Sequence, residues 1–393
     1  MKTRTLFPLL SILLLAACAG PGPTPTAAPA ATLPPPEVQS TIAPSAPQAP
    51  TAYPSEHSPS PEPEAEPIQT VPVEVIAEGL NLPWELAFLP DGQILLTERP
   101  GQLTLLEGQQ RLAIEGVLHR GEGGLLGLAL HPNFAENHWL YLYLTSEENG
   151  AVVNRVERYV YTDHSLSERT PIIEGIRGAT YHDGGRIAFG PDGKLYITTG
   201  DAGMPAAAQV LENLDGKILR LNDDGSIPED NPYGTAVWTY GHRNAQGLAW
   251  DNQGRLWATE HGPSGGESGN DEVNLIEAGK NYGWPQIRGL QTAEGMVTPV
   301  VESTRQETWA PSGMAFLGGK LWFAGLRGQT LYALPVDDLR PETLERHLAG
   351  EYGRLRTVVL GPDGLLYITT SNGNGANAVD RVLRVNPALL GED

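Results

Sequence analysis

His182-Asp-Gly-Gly-Arg-Ile-Ala-Phe-Gly-Pro-Asp-Gly-Lys-Leu-Tyr-Ile-Thr-Thr-Gly-Asp201 carries a residue suited to acid–base chemistry at each end of a strand–turn–strand pattern. Residues 186–189 read as one strand, Pro191-Asp192-Gly193 supplies the turn, and residues 195–199 alternate as the returning strand. The turn lies midway between His182 and Asp201. Antiparallel pairing therefore brings an imidazole and a carboxylate to one rim of a sheet, within reach of a single bound molecule.

The unit recurs at 84–98 around Asp91-Gly92, at 124–145 around His131-Pro132-Asn133 and at 244–262 around Gln253-Gly254. It recurs again at 312–326 around Gly318-Gly319 and at 354–372 around Asp363-Gly364. Six such units, spaced by roughly 40 to 65 residues, predict an all-β chain folded as a six-bladed β-propeller of about four strands per blade. A β-sandwich with several similar hairpins is the competing arrangement. The propeller is expected to occupy residues 71–393, ample length for a large core.

What precedes it reads differently. Lys2 and Arg4 stand before the apolar run 6–17, too short for a spanning helix and laid out as a secretory signal over residues 1–17. The run ends Leu15-Ala16-Ala17-Cys18, which resembles a bacterial lipobox and makes Cys18 the expected lipidation site. The remaining alternative for Cys18 is a buried residue of the signal. It is the sole cysteine, so no disulfide forms within the chain. From there to about Thr70 the sequence is rich in Pro, Ala, Ser and Thr with no Lys or Arg, and cannot bury enough apolar surface to fold. Residues 18–70 are thus expected to be a disordered tether, holding an extracytoplasmic domain to a membrane through the lipid alone.

The formal net charge is −21, which disfavours a nucleic-acid partner. Against that background Arg243 and Asn244 fall opposite His261 and Gly262, Arg354 and Arg356 fall opposite Ser371 and Asn372, and Arg327 ends the 312–326 hairpin. Inner-strand ends of a propeller converge on its axis, so four arginines from three blades are placed to surround one cavity and a ligand bearing several carboxylates or phosphates. The plainer alternative is that each pairs with a surface carboxylate. No His/Cys cluster has zinc spacing, and no Gly-rich loop opens a helix in the dinucleotide-binding manner.

Across residues 72–387 the chain resembles the soluble glucose/sorbosone dehydrogenase family, six-bladed aldose sugar dehydrogenases that use pyrroloquinoline quinone (PQQ). The resemblance rests on Gly121-Glu-Gly-Gly-Leu-Leu-Gly127, the 182–203 segment, Leu214-Asp-Gly-Lys-Ile-Leu-Arg-Leu221 and Gly241-His-Arg-Asn-Ala-Gln-Gly-Leu248. It continues through Glu260-His-Gly-Pro263, Asp271-Glu-Val-Asn-Leu275, Asn281-Tyr-Gly-Trp-Pro285 and Arg354-Leu-Arg356.

The resemblance implies that His182 removes the C1 hydroxyl proton of an aldose while hydride passes to the quinone. It implies that Asp201 orients His182 and that Arg243 stabilises developing charge. Asn244, Arg354 and Arg356 match positions that hold the cofactor; Arg327 stands where the family commonly has Lys, and Glu122 where it has Gln. A carboxylate accepts hydrogen bonds but donates none, so Glu122 alters the contact. Gly262 and Pro263 match the carbonyls that ligate a Ca²⁺ beside the quinone, and Asp271, Glu272 and Tyr282 match a second calcium region. The expected partners are an aldose and an external electron acceptor. Two other readings stand beside this one: a non-catalytic binding propeller, and a calcium-dependent lactonase.

Overall fold

The computed structural model describes residues 71–265 and 268–391. The signal segment, Cys18 and the Pro/Ala-rich tether lie outside the described residues. Six four-stranded sheets follow one another along the chain. Their innermost strands are Pro83–Phe88, Leu125–Leu130, Ile187–Phe189, Ala245–Trp250, Pro311–Leu317 and Leu355–Leu360. Each sheet runs outward by antiparallel steps before the chain crosses to the next, so the fold is the six-bladed β-propeller expected from the repeats. The sixth blade takes its outer strand from the other end of the domain: Val73–Leu80 pairs with Asp380–Val385, Val73 opposite Val385. That pairing closes the ring with backbone hydrogen bonds and leaves no unpaired seam between first and last blades.

Turn chemistry explains why the hairpins repeat. Asp91, Asp192, Asp251 and Asp363 each accept, through Oδ1, the backbone N–H two residues on, at 2.9–3.1 Å. An aspartate in this role mimics a backbone turn, and the glycine that follows supplies positive φ, 70° at Gly193 for example. In three blades the second oxygen fastens the same turn to its sheet: Asp251 Oδ2 receives Arg255 at 2.6 Å and the Trp257 indole at 2.9 Å. Asp192 Oδ2 receives Tyr196 and Arg220, and Asp363 Oδ2 receives Tyr367 and Arg384, at 2.8–3.0 Å.

Blade faces bury each other, so both faces of the middle strands are covered: all five residues of Ile94–Glu98 and of Lys217–Leu221 are buried. Tyr141, Tyr143, Ile187, Ile197 and Leu219 form one such core, and Trp257, Trp309, Phe323 and Tyr332 another.

At the axis the inner strands contribute polar side chains. Arg186 forms an ion pair with Glu85, and its Nε donates to the Gln246 carbonyl at 2.8 Å. Thr357 Oγ1 donates to Glu85 Oε1 at 2.7 Å, and Arg356 Nη1 donates to Gln246 Oε1 at 2.8 Å. Trp84, 1% exposed, lies 4.2 Å from the Arg186 guanidinium and 5.7 Å from that of Arg356. This buried layer from four blades forms the floor beneath the strand ends.

Candidate active site

The 182–201 hairpin pairs Ile187 with Ile197 and Phe189 with Leu195, the register its midpoint turn predicts. Its first strand begins later than the sequence suggests, at Ile187 rather than Arg186. Gly184 and Gly185 have φ of 65° and 106°, which break the strand and bend the chain at the rim. Beyond the bend His182 itself sits in the left-handed region at φ 63°, a conformation a non-glycine residue adopts at some cost and keeps when its surroundings enforce it. Two contacts enforce it: the His182 N–H donates to Glu122 Oε2 at 2.9 Å, and its carbonyl accepts from Ala202 N–H at 3.2 Å.

His182 Nδ1 lies 2.7 Å from Asp201 Oδ1. An ionised carboxylate can only accept, so in the neutral imidazole the proton sits on Nδ1 and the lone pair on Nε2. Asp201 is fully buried. Burial by itself would raise its pKa, but the hydrogen bonds from His182, the Gly203 N–H and the Trp284 indole outweigh that and hold it below the usual carboxylate range. His182 Nε2 has no partner among the described residues and faces a cavity of about 510 Å³.

Arg243 lines that cavity. Its guanidinium donates to the His261 carbonyl at 3.3 Å and to Ser264 Oγ at 3.1 Å, and lies 5.4 Å from the Trp284 ring. Burial pulls its pKa down, opposed by Asp201 and Glu122, and arginine stays charged through such a shift. Its backbone N–H and that of Asn244 both donate to Glu260, whose other oxygen receives His242 Nδ1 at 2.7 Å. His242 is therefore a satisfied core residue. Asn244 is fully buried, accepts Gly184 N–H at 3.0 Å and donates to Glu122 Oε2 at 3.4 Å. The expected pairing across this blade is present, with His261 N–H on the Asn244 carbonyl.

The other arginines occupy different depths. Arg356 is buried in the axial floor, whereas Arg354 and Arg327 are exposed, Arg327 donating to Ser268 Oγ at 3.2 Å. None of the four forms a salt bridge with a described carboxylate, so the surface-pairing alternative does not hold among the described residues. Buried nitrogens without a partner cluster here too: Arg99 Nε, His261 Nε2 and Arg356 Nε. Burial together with Arg243 and Arg356 drives the His261 pKa well below its ordinary value, so this ring is neutral.

The candidate metal ligands separate into two groups. Pro263 lines the cavity, and the carbonyls of Gly262 and Pro263 accept no hydrogen bond from the described residues. Asp271 has a different task from the one expected. Its carboxylate accepts the N–H groups of Gly262, Trp309 and Ala310 at 2.7–3.0 Å and so clasps the loop that carries Gly262. Tyr282 stacks on His242, and its hydroxyl donates to the Leu275 carbonyl at 2.6 Å. Glu272 accepts from Gly289 N–H and Asn274, and burial with the nearby Glu260 raises its pKa. No group of three His, Cys, Asp or Glu side chains placed to hold a metal ion occurs among the described residues.

Three site residues escape a reading of the sequence. Trp284, 83 positions from Asp201, and Glu260 each stand in a family motif without an assigned role, and Tyr181, beside His182, lines the cavity.

The pattern of the family described as Glucose / Sorbosone dehydrogenase matches residues 80–384. The aldose sugar dehydrogenase YliI of Escherichia coli K12 is 33% identical over 357 residues, covering 81% of this chain and 93% of its own. Among solved structures, a putative oxidoreductase (glucose dehydrogenase) from Thermus thermophilus is 44% identical with a TM-score of 0.74, covering 80% of this chain and 99% of its own. The PQQ-bound aldose sugar dehydrogenase of Streptomyces coelicolor is 39% identical with a TM-score of 0.71, covering 80% and 98%. The chain belongs to the glucose/sorbosone dehydrogenase family and is an oxidoreductase built on a six-bladed propeller.

Proposed function

We propose that this protein oxidises the C1 hydroxyl of aldose sugars to lactones, using PQQ with a calcium ion beside it. The observation that carries the reading is the His182–Asp201 pair, with Nε2 of His182 open to a cavity bordered by arginine. The PQQ-bound relative from Streptomyces and the relative named quinoprotein glucose dehydrogenase B in Acinetobacter calcoaceticus support the choice of cofactor.

The residues present fit such a group. A flat ligand with several carboxylates suits guanidinium groups that lack carboxylate partners and buried nitrogens that lack any partner. Arg243, Asn244, Arg327, Arg354 and Arg356 would hold it. The Gly262 and Pro263 carbonyls offer the hard oxygen donors that Ca²⁺ prefers, with further oxygens coming from the ligand and water. Bound there, PQQ supplies the acceptor for the hydride that leaves C1.

The protein's part is to move one proton and fix the geometry. His182 Nε2 takes the C1 hydroxyl proton as C1 loses its hydride and the C1–O bond becomes a carbonyl. Asp201 keeps the Nδ1 proton in place and favours the imidazolium that results. Arg243 presents fixed positive charge to the cavity where negative charge develops. In the cell, lipidated Cys18 and the tether would hold the domain at an extracytoplasmic membrane surface. Reconstitution tests the reading: apoprotein loaded with PQQ and Ca²⁺ should change its absorption spectrum on adding glucose. A loaded protein whose spectrum no aldose alters would favour the non-catalytic propeller.

A further inference from the structure

His182 has a neighbour whose exposure the fold does not require. Tyr181 is 50% exposed and lines the same cavity, its ring edge-on to that of His182 with centroids 4.7 Å apart and planes at 72°. Its hydroxyl has no partner among the described residues. The ring lies along Gly203, where a Cβ would come within 3.0 Å of it, so a glycine at φ 73° makes room for a tyrosine at the cavity mouth. The other aromatic of the wall is occupied. Trp284 has its indole N–H on Asp201 and the guanidinium groups of Arg243 and Arg288 within 5.4 and 5.5 Å of its ring. Glu122, Asp201 and Arg243, also in the wall, are held in polar contacts.

We infer that Tyr181 is the sugar-stacking wall of the site, taking the C–H face of the pyranose whose C1 hydroxyl meets His182. The inference rests on the function proposed above. A substrate hydroxyl in hydrogen-bond reach of Nε2 leaves the rest of its ring to lie along a residue adjoining His182, and Tyr181 adjoins it with half its surface uncovered. A pyranose carries ring C–H bonds on each face, and the π-face of tyrosine gains apolar contact from them without competing for the hydroxyls that set chemistry. Tyr181 is then a specificity-determining residue: it favours cyclic aldoses and contributes to binding in ground and transition states alike.

The test uses PQQ- and Ca²⁺-loaded protein and two variants. Tyr181→Ala should raise KM for glucose about five- to tenfold, as loss of part of an aromatic contact area implies, with kcat within about twofold. Tyr181→Phe, which keeps the face and loses the hydroxyl, should restore KM. Independently of turnover, saturation-transfer NMR with irradiation of aromatic protons should mark the sugar C–H protons in wild type and in the Tyr181→Phe variant alike, and lose that signal in Tyr181→Ala. An unchanged KM and NMR signal in Tyr181→Ala would overturn the inference, as would a fall in kcat at constant KM or a Phe variant that behaves like Ala. Failure of wild-type protein to oxidise any aldose would instead overturn the function on which the inference rests.

Discussion

Gly200 passes so close under His182 that a Cβ at position 200 would lie 1.8 Å from the His182 carbonyl oxygen. The two strands of the hairpin meet their neighbour blade at this point, Gly200 forming an isolated bridge with Asn244. Gly200→Ala should therefore push His182 out of its left-handed position. Displacement of a catalytic group by about 1 Å costs on the order of 10²-fold in rate, and overpacking costs about 1–3 kcal/mol in stability. Thermal melts and turnover of this variant, measured side by side, check both effects.

Glu122 places an anion where an anionic cofactor is expected, and its charge is felt by Arg99, Arg243 and Arg354. Glu122→Gln keeps an acceptor for the His182 N–H and adds a donor toward the cavity. Quinone titration of the apoprotein should show tighter binding, by about 1–3 kcal/mol if the gain is a hydrogen bond to a buried acceptor. Weaker binding by the variant would assign Glu122 to a cation instead.

Asp183, 1% exposed, has one oxygen on Ala179 N–H and Asn154 and the other without a partner. Burial pushes its pKa up to about 6. A carboxyl raised in the folded state contributes stability that is complete below its unfolded value near 4 and is lost as pH rises through about 6. Asp183→Asn should flatten the pH dependence of denaturant midpoints across that window and raise stability at pH 7 by on the order of 1–3 kcal/mol.

Cys18→Ala should release the protein from membranes into a soluble extracytoplasmic fraction with sugar oxidation intact. Fractionation followed by activity assay checks this, and retention at the membrane would remove the anchor from the account.

Much of this site is legible in the sequence. Turn residues repeat because an aspartate and a glycine are what a tight hairpin needs, and the midpoint of each hairpin fixes which residues share a rim. That reasoning places His182 with Asp201 and Asn244 with His261. It fixes position along a strand but not burial: Arg327 and Arg354 are exposed, whereas Arg356 is buried and donates to Gln246. Nor can an acidic pair in a loop reveal what its oxygens accept. Asp271 reads as a metal ligand and in the structure holds three backbone N–H groups. Trp284 and the closing strand Val73–Leu80 depend on contacts between segments far apart in the chain, which no local pattern encodes.

The central claim is that His182 is the base. Stopped-flow reduction of PQQ- and Ca²⁺-loaded protein by glucose, comparing wild type with His182→Gln, tests it most directly. Loss of a positioned base should slow reduction by about 10²–10⁴-fold while cofactor affinity and melting temperature stay near wild type. Reduction of the His182→Gln protein at the wild-type rate would contradict the account.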